Sequence, residues 1–227
     1  MGVGITLAEE KVILGIVQTA TENARVLTEF LQTLMTWGLR PEAGLLWMFD
    51  GGKGLRAAGR AVAGKTAVVQ RCQWHKRENV VICLPKNHQP VVRRQLQAAY
   101  RQPTYEAAKA QLRPLGEALA HENPSAALLW EGLEETLTLR RLGLTGPLAR
   151  SFATTNVLES INAQVGRLIR NVTRWRNGPQ KQRWVASALL DLEPRLRRVK
   201  GYRALPQLRA VLLRSAGPAV PSAAQAA

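Results

Sequence analysis

Aspartate is almost absent from this chain of 227 residues: Asp50 and Asp191 are the only two, and acidic residues number 16 against 32 lysines and arginines. A net charge of +16 excludes a neutral or acidic surface and points to a polyanionic partner, because each cation that meets a phosphate releases a condensed counterion. Cysteine is as scarce. Cys72 and Cys83 cannot form the disulfide framework of a small secreted domain, so both are expected as free thiols in a reducing compartment. No uninterrupted apolar run reaches the roughly 18 residues of a bilayer span, and the first residues lack the basic-then-apolar order of a secretory signal. The expectation is a soluble, cytoplasmic protein with no membrane partner.

What is present is enough apolar sequence for a core and a lopsided charge. Hydrophobic residues make up 46% of the chain, too many for a disordered basic tail. From position 148 onward 14 basic residues face three acidic ones, so the surface for nucleic acid is expected to be mainly C-terminal.

The pattern begins with strands. Val3, Ile5 and Leu7 alternate with small or polar residues, Glu9-Glu10-Lys11 reads as a turn, and Val12 to Val17 continues as a second strand. Thr19-x-x-Glu22 has the form of a capping box before a helix that carries Val26, Leu27, Phe30, Leu31 and Leu34 and stops near Gly38 and Pro41. Leu45 to Phe49 is wholly apolar, as in a strand buried on both faces, and ends at Asp50. Gly51-Gly52, a basic helix from Lys53 to Ala63 and a strand from Ala67 to Cys72 complete an α/β unit. The four strands are predicted to share one sheet. From 76 to about 145 the periodicity is helical, with Asn123-Pro124 read as a helix start. A helix opens at Thr154-Thr155-Asn156 with Val157, Leu158, Ile161, Val165, Leu168 and Ile169 on one face and Glu159 off it. Another is predicted near Gln182 to Leu192.

Asp50 ends a buried strand ahead of two glycines, where α/β proteins place ligands and metals, but it reads equally as a cap or turn residue. Asn156-x-x-Glu159 likewise reads as a capping box. Cys72-x-x-His75 and Cys83-x4-His88 raise the alternative of a zinc site, against which stand the unusual second spacing and the apolar run around Cys83. Arg167, Arg170, Arg174, Trp175, Arg176, Lys181 and Arg183 mix cations with an aromatic, which suits DNA better than charge alone. Trp184 is expected in the core.

Three motifs in order carry a resemblance. Trp47-Met48-Phe49-Asp50-Gly51-Gly52-Lys53-Gly54-Leu55-Arg56, then Arg71-Cys72-Gln73-Trp74-His75-Lys76-Arg77-Glu78-Asn79-Val80, and finally Ser151 through Asn162 with Arg174-Trp175-Arg176-Asn177, are similar to the mutator family of insertion-sequence transposases. The resemblance runs from about Val3 to Leu213. It implies a ribonuclease-H-like mixed sheet flanked by helices and interrupted by an all-helical insertion, within an α/β fold. It implies Asp50 and Glu159 as catalytic carboxylates and metal ligands, and Cys72, His75, Asn156 and Asn162 as signature residues near the site. It further implies two Mg²⁺ (or Mn²⁺) ions, DNA cleavage and strand transfer, and double-stranded DNA, both element ends and target, as partner. Lys53 and Arg56 join the C-terminal strip as expected DNA contacts. A homo-oligomer is left open.

The chain departs from the family at its start. No aspartate precedes Asp50, so the first acidic residue and its strand are expected to be missing, and a truncated copy, inactive alone, is the reading. The alternative is a non-catalytic DNA-binding remnant that interferes with full-length transposase. The division expected is 1–75 for the first part of the core, 76–150 for the helical insertion, 151–214 for the rest of the core with the basic region, and 215–227 for a disordered tail.

Overall fold

The computed structural model describes residues 1–19, 23–64, 67–123, 130–172 and 174–216. The chain opens with an antiparallel hairpin of β1 (Gly2–Ile5) and β2 (Lys11–Gly15), in which Val3 faces Ile13. Thr6 closes the turn by donating its N–H to Glu10 O at 2.9 Å. Helix α1 (Ala24–Thr36) follows, capped by Asn23, whose Oδ1 accepts from Arg25 N at 2.9 Å. The cap is thus Asn23 rather than Thr19, and Glu22 of the predicted box lies outside the described residues.

A β–α–β unit carries the site. β3 (Leu46–Phe49), α2 (Lys53–Ala63) and β4 (Val68–Arg71) run so that β3 and β4 pair in parallel, Leu46 opposite Val68 and Phe49 opposite Arg71. Every later element among the described residues is helical: α3 (Gln73–Val81), α4 (Gln89–Tyr100), α5 (Tyr105–Glu122), α6 (Leu133–Thr136), α7 (Thr138–Arg141), α8 (Gly146–Phe152), α9 (Asn156–Leu168), α10 (Gly178–Leu192) and α11 (Leu205–Ala216).

The twofold period of β3 divides the core. Trp47 and Phe49 pack with Leu31 and Leu34 of α1 and Ala58 of α2, whereas Leu46 and Met48 face Phe152 of α8 and Leu208 and Leu212 of α11. Gly59 of α2 lies so close to β3 that an added Cβ would come within 2.6 Å of the Phe49 ring. The hairpin packs through Val3 and Ile13 on Ile161 and Val165 of α9 and Leu189 of α10. Helices α3 to α6 enclose a core of their own around Leu96, Leu112 and Leu137.

Two expectations about the sheet and one about the tail are corrected. The four strands form two separate two-stranded sheets, β1–β2 and β3–β4, rather than one. The outer edge of β4 is closed by side chains: Thr138 donates its hydroxyl to Val69 O at 2.6 Å, and Gln70 donates to Thr136 O at 2.9 Å while accepting from Leu139 N at 3.0 Å. Leu46 and Met48 are only partly buried, so β3 is not fully enclosed on both faces. The predicted tail begins inside α11, which runs to Ala216 because Leu205, Leu208 and Leu212 have a core to bury in; residues 217–227 lie outside the described residues. Asn123 ends α5, donating its amide to Cys83 O at 2.7 Å, and the helix start expected at Asn123-Pro124 lies outside the described residues.

Candidate functional site

Parallel pairing decides what stands beside Asp50. Cys72 donates its N–H to Phe49 O at 2.8 Å, so Asp50 and Cys72 leave the C-terminal ends of neighbouring strands together. Asp50 is exposed and its Oδ1 accepts from Gly52 N at 3.1 Å, a local turn of the kind aspartate favours. The next peptide is clamped. Buried Arg71 donates Nη2 to Gly51 O at 3.1 Å and Nη1 to Glu131 O at 2.7 Å, linking the Asp50 turn to the far end of the helical block. Gly51 is required here, with φ of 108° and Arg71 Nε 2.6 Å from where a Cβ would stand.

Cys72 and His75 join that edge to α9. The backbone N–H of Thr155, N-cap of α9, points to Cys72 Sγ at 3.4 Å. His75 Nδ1 lies 3.2 Å from Cys72 Sγ and 3.3 Å from Thr155 Oγ1, and its Nε2 lies 3.8 Å from Oε1 of Glu159. Cys72 just after β4, His75 of α3, and Thr155 and Glu159 at the start of α9 thus meet in one network. Helix α9 begins at Asn156 and has no side-chain cap bond, so the capping-box reading of Asn156 and Glu159 does not describe this end. Asn156 and Asn162 are exposed, and Asn162 follows Glu159 by three positions on the same helical face.

A buried charge cluster lies behind the site. Lys76 is 2% exposed, donates Nζ to Glu131 O at 2.7 Å, and has its pKa pushed down to about 7, first by burial and then by the Arg71 charge. Arg56 belongs to this cluster, with Nη2 at 3.2 Å from Glu131 Oε1, and is therefore withdrawn from the expected DNA contacts: its guanidinium is spent inside the protein.

The other expected contacts face solvent. Lys53, Arg167, Arg170, Arg174, Arg176, Lys181 and Arg183 are exposed, Trp175 is half-buried, and among the described residues none of the seven cations has an ion-pair partner. Asn177 caps α10 by accepting Gln180 N at 2.9 Å, starting the helix at Gly178, four residues ahead of expectation. Trp184 is 46% exposed, a second correction: α10 turns Ala188, Leu189 and Leu192 inward instead.

A divalent ion of the Mg²⁺ type needs several oxygens converging on one point. Among the described residues no three His, Cys, Asp or Glu side chains are grouped so as to hold an ion, and the zinc alternative finds no support in Cys83, whose thiol donates to Asn79 O at 3.4 Å. Asp50 and Glu159 alone do not fit a complete two-ion site.

These features define a basic α/β protein in which a thiol, an imidazole and the Glu159 carboxylate meet at the end of β4, next to the strand end that carries Asp50. The family model described as "Transposase, Mutator family" matches residues 1–196, and the chain belongs to that family. Membership implies DNA binding and a role in transposition, and transposases of this kind generally use divalent metals. No curated protein matches the chain. No helix among the described residues is long and apolar enough to cross a membrane.

Sequence reasoning missed Arg71 and Thr155. Arg71 stands in the quoted motif beside Cys72, so its position was visible, but its partners Gly51 and Glu131 are defined only by folding.

Proposed function

We propose that this chain is part of a DNA transposase of the DDE type, with Asp50 and Glu159 as two of its three acidic residues in a ribonuclease-H-like core. The observation that carries the reading is the approach of His75 to both Cys72, beside Asp50, and Glu159. His75 thus links Glu159 to the strand end next to that of Asp50, which supports a shared role for the two carboxylates.

The sheet arrangement supports the same reading. Phe30 of α1 lies against Gly2 and Gly15 of the hairpin while Leu31 and Leu34 pack with β3, and Ile5 joins the cluster that holds Leu46 and Met48. Both small sheets therefore sit under one helix. An upstream strand bearing the first Asp would pair between β1 and β3, joining the two sheets and bringing the third carboxylate to the same edge. Without it the 227 residues are proposed to bind DNA but not to cut it, since Mg²⁺ gives up its water reluctantly where protein ligands are few.

The test is strand transfer with Mg²⁺ or Mn²⁺ on DNA bearing the ends of the encoding element, using this chain and a version extended upstream through an Asp. Product from the extended version alone, lost in Asp50→Asn and in Glu159→Gln, supports the proposal. Absence of product from any extended version favours the second reading, a DNA-binding remnant that interferes with full-length transposase; the lack of a third grouped ligand among the described residues is the observation on its side.

A further inference from the structure

A second concave site opens beside the carboxylate edge. A cleft of about 500 Å³ has Trp74 and Arg77 of α3 on one wall and Ala149 and Arg150 of α8 on the other, with Arg101 after α4 and Arg140 of α7 also facing it. Four arginines converge there, and no acidic side chain among the described residues lines the cleft. Arg77 is partly neutralised by Glu78 at 2.8 Å, and Arg140 reaches toward Pro103 O at 3.5 Å. Arg101 and Arg150 are exposed, so the field in the cleft is positive and two guanidinium groups are available to a ligand.

Trp74 stands within this charge. It is 46% exposed, with its ring edge-on to His75 at 4.8 Å between centroids, so a large aromatic surface remains open. Exposure of that surface forgoes the burial a tryptophan normally gains, and a stacking ligand would restore it. The volume falls in the range of roughly 300–1,000 Å³ typical of sites for small ligands, which suits single nucleotides and is too confined for a paired duplex.

We propose that this cleft binds unpaired DNA, with a base stacked on Trp74 and neighbouring phosphates held by Arg101 and Arg150. The planar guanidinium fork matches phosphate, and stacking tolerates any base because every base has a π face. The inference rests on the transposase reading, which supplies an unpaired strand next to the carboxylates. The cleft adjoins the Cys72–His75–Thr155 network: Trp74 lies between Cys72 and His75 in the chain, and Gln73 donates its N–H to Ala153 O at 2.8 Å, two residues before Thr155. Nucleotides flanking a reacting strand end thus reach the cleft directly, and the surface is distinct from the C-terminal basic strip.

The test measures binding of the 227-residue protein to a labelled oligothymidylate and to a blunt duplex of the same length at one salt concentration. Trp74→Ala and the double variant Arg101→Ala/Arg150→Ala are each expected to weaken single-strand binding about tenfold or more, and duplex binding by less than about twofold. Photocross-linking of an iododeoxyuridine oligomer is expected to mark the peptide that contains Trp74. Both arginines are exposed, so the double variant keeps the test decisive if Trp74→Ala fails to fold. Unchanged single-strand affinity in folded variants overturns the cleft while leaving the transposase reading in place. Failure of the wild-type chain to bind either DNA form overturns both.

Discussion

His75 lies between the two halves of the candidate site: its Nε2 is 3.8 Å from Oε1 of Glu159, and its Nδ1 is 3.2 Å from Sγ of Cys72. A side chain held on both sides in this way orients Glu159 without itself needing to touch DNA. His75→Ala is therefore expected to lower the turnover of an extended, active transposase by about 10²-fold, because small misplacements of reacting groups are costly. DNA affinity is expected to be unchanged, and His75→Asn, which keeps a polar group in reach, to recover part of the rate. An equal loss of affinity in strand-transfer and binding assays would make His75 a DNA contact instead.

Arg71 tests the link between the Asp50 turn and the helical block. Its guanidinium serves Gly51 O at 3.1 Å and Glu131 O at 2.7 Å from a buried position. Arg71→Met leaves both carbonyls without that donor and is expected to destabilise the protein by about 2–5 kcal/mol in urea unfolding. Gly51→Ala, strained by the positive φ and by its closeness to Arg71, is expected to cost about 1–3 kcal/mol. A loss below about 0.5 kcal/mol for both would show that the clamp does not hold the turn.

Lys76 sets a pH dependence. Its folded pKa of about 7 lies below the ordinary lysine value of 10.5, so the unfolded chain binds the extra proton between those limits. The fold then gains stability from this residue as pH rises from about 7 toward 10.5, and carries the full cost of the buried cation below 7. Urea unfolding of wild type and Lys76→Met at pH 7 and pH 9.5 checks this: the rise with pH is expected to be smaller in the variant. Equal slopes would contradict it.

The features that sequence made legible are local ones. The apolar run ending at Asp50, the Gly51-Gly52 pair and the basic helix after it announce β3, the turn and α2, each decided within a few residues. What sequence left out depends on distant partners. Arg56 reads as one cation on a basic helix, yet Glu131 and Glu135 arrive from beyond α5 to take it inward. Trp184 reads as core by hydrophobicity, while the smaller Ala188 and Leu189 are what α10 buries. The union of the strands into one sheet fails for a related reason: β1–β2 closes through a short turn and β3–β4 through a crossover, and neither local rule specifies how the two pairs meet.

The C-terminal strip has its own signature in salt dependence. Removing one cation from a phosphate lowers the slope of log affinity against log salt by about 0.9, so Arg170→Ala/Arg174→Ala/Arg176→Ala is expected to flatten the duplex-DNA slope by about 2–3. Binding is expected to persist in EDTA. An unchanged slope would place the duplex surface elsewhere.

The central claim is that Asp50 and Glu159, despite their separation in sequence, serve one site. The most direct measurement is Mn²⁺ titration, followed by electron paramagnetic resonance, of the 227-residue protein and its Asp50→Asn and Glu159→Gln variants. One weak binding event, abolished alike in both variants, is the predicted result, since two carboxylates without a third hold a hard cation poorly. Separate events removed one by each substitution, or an event that neither substitution affects, would contradict the account.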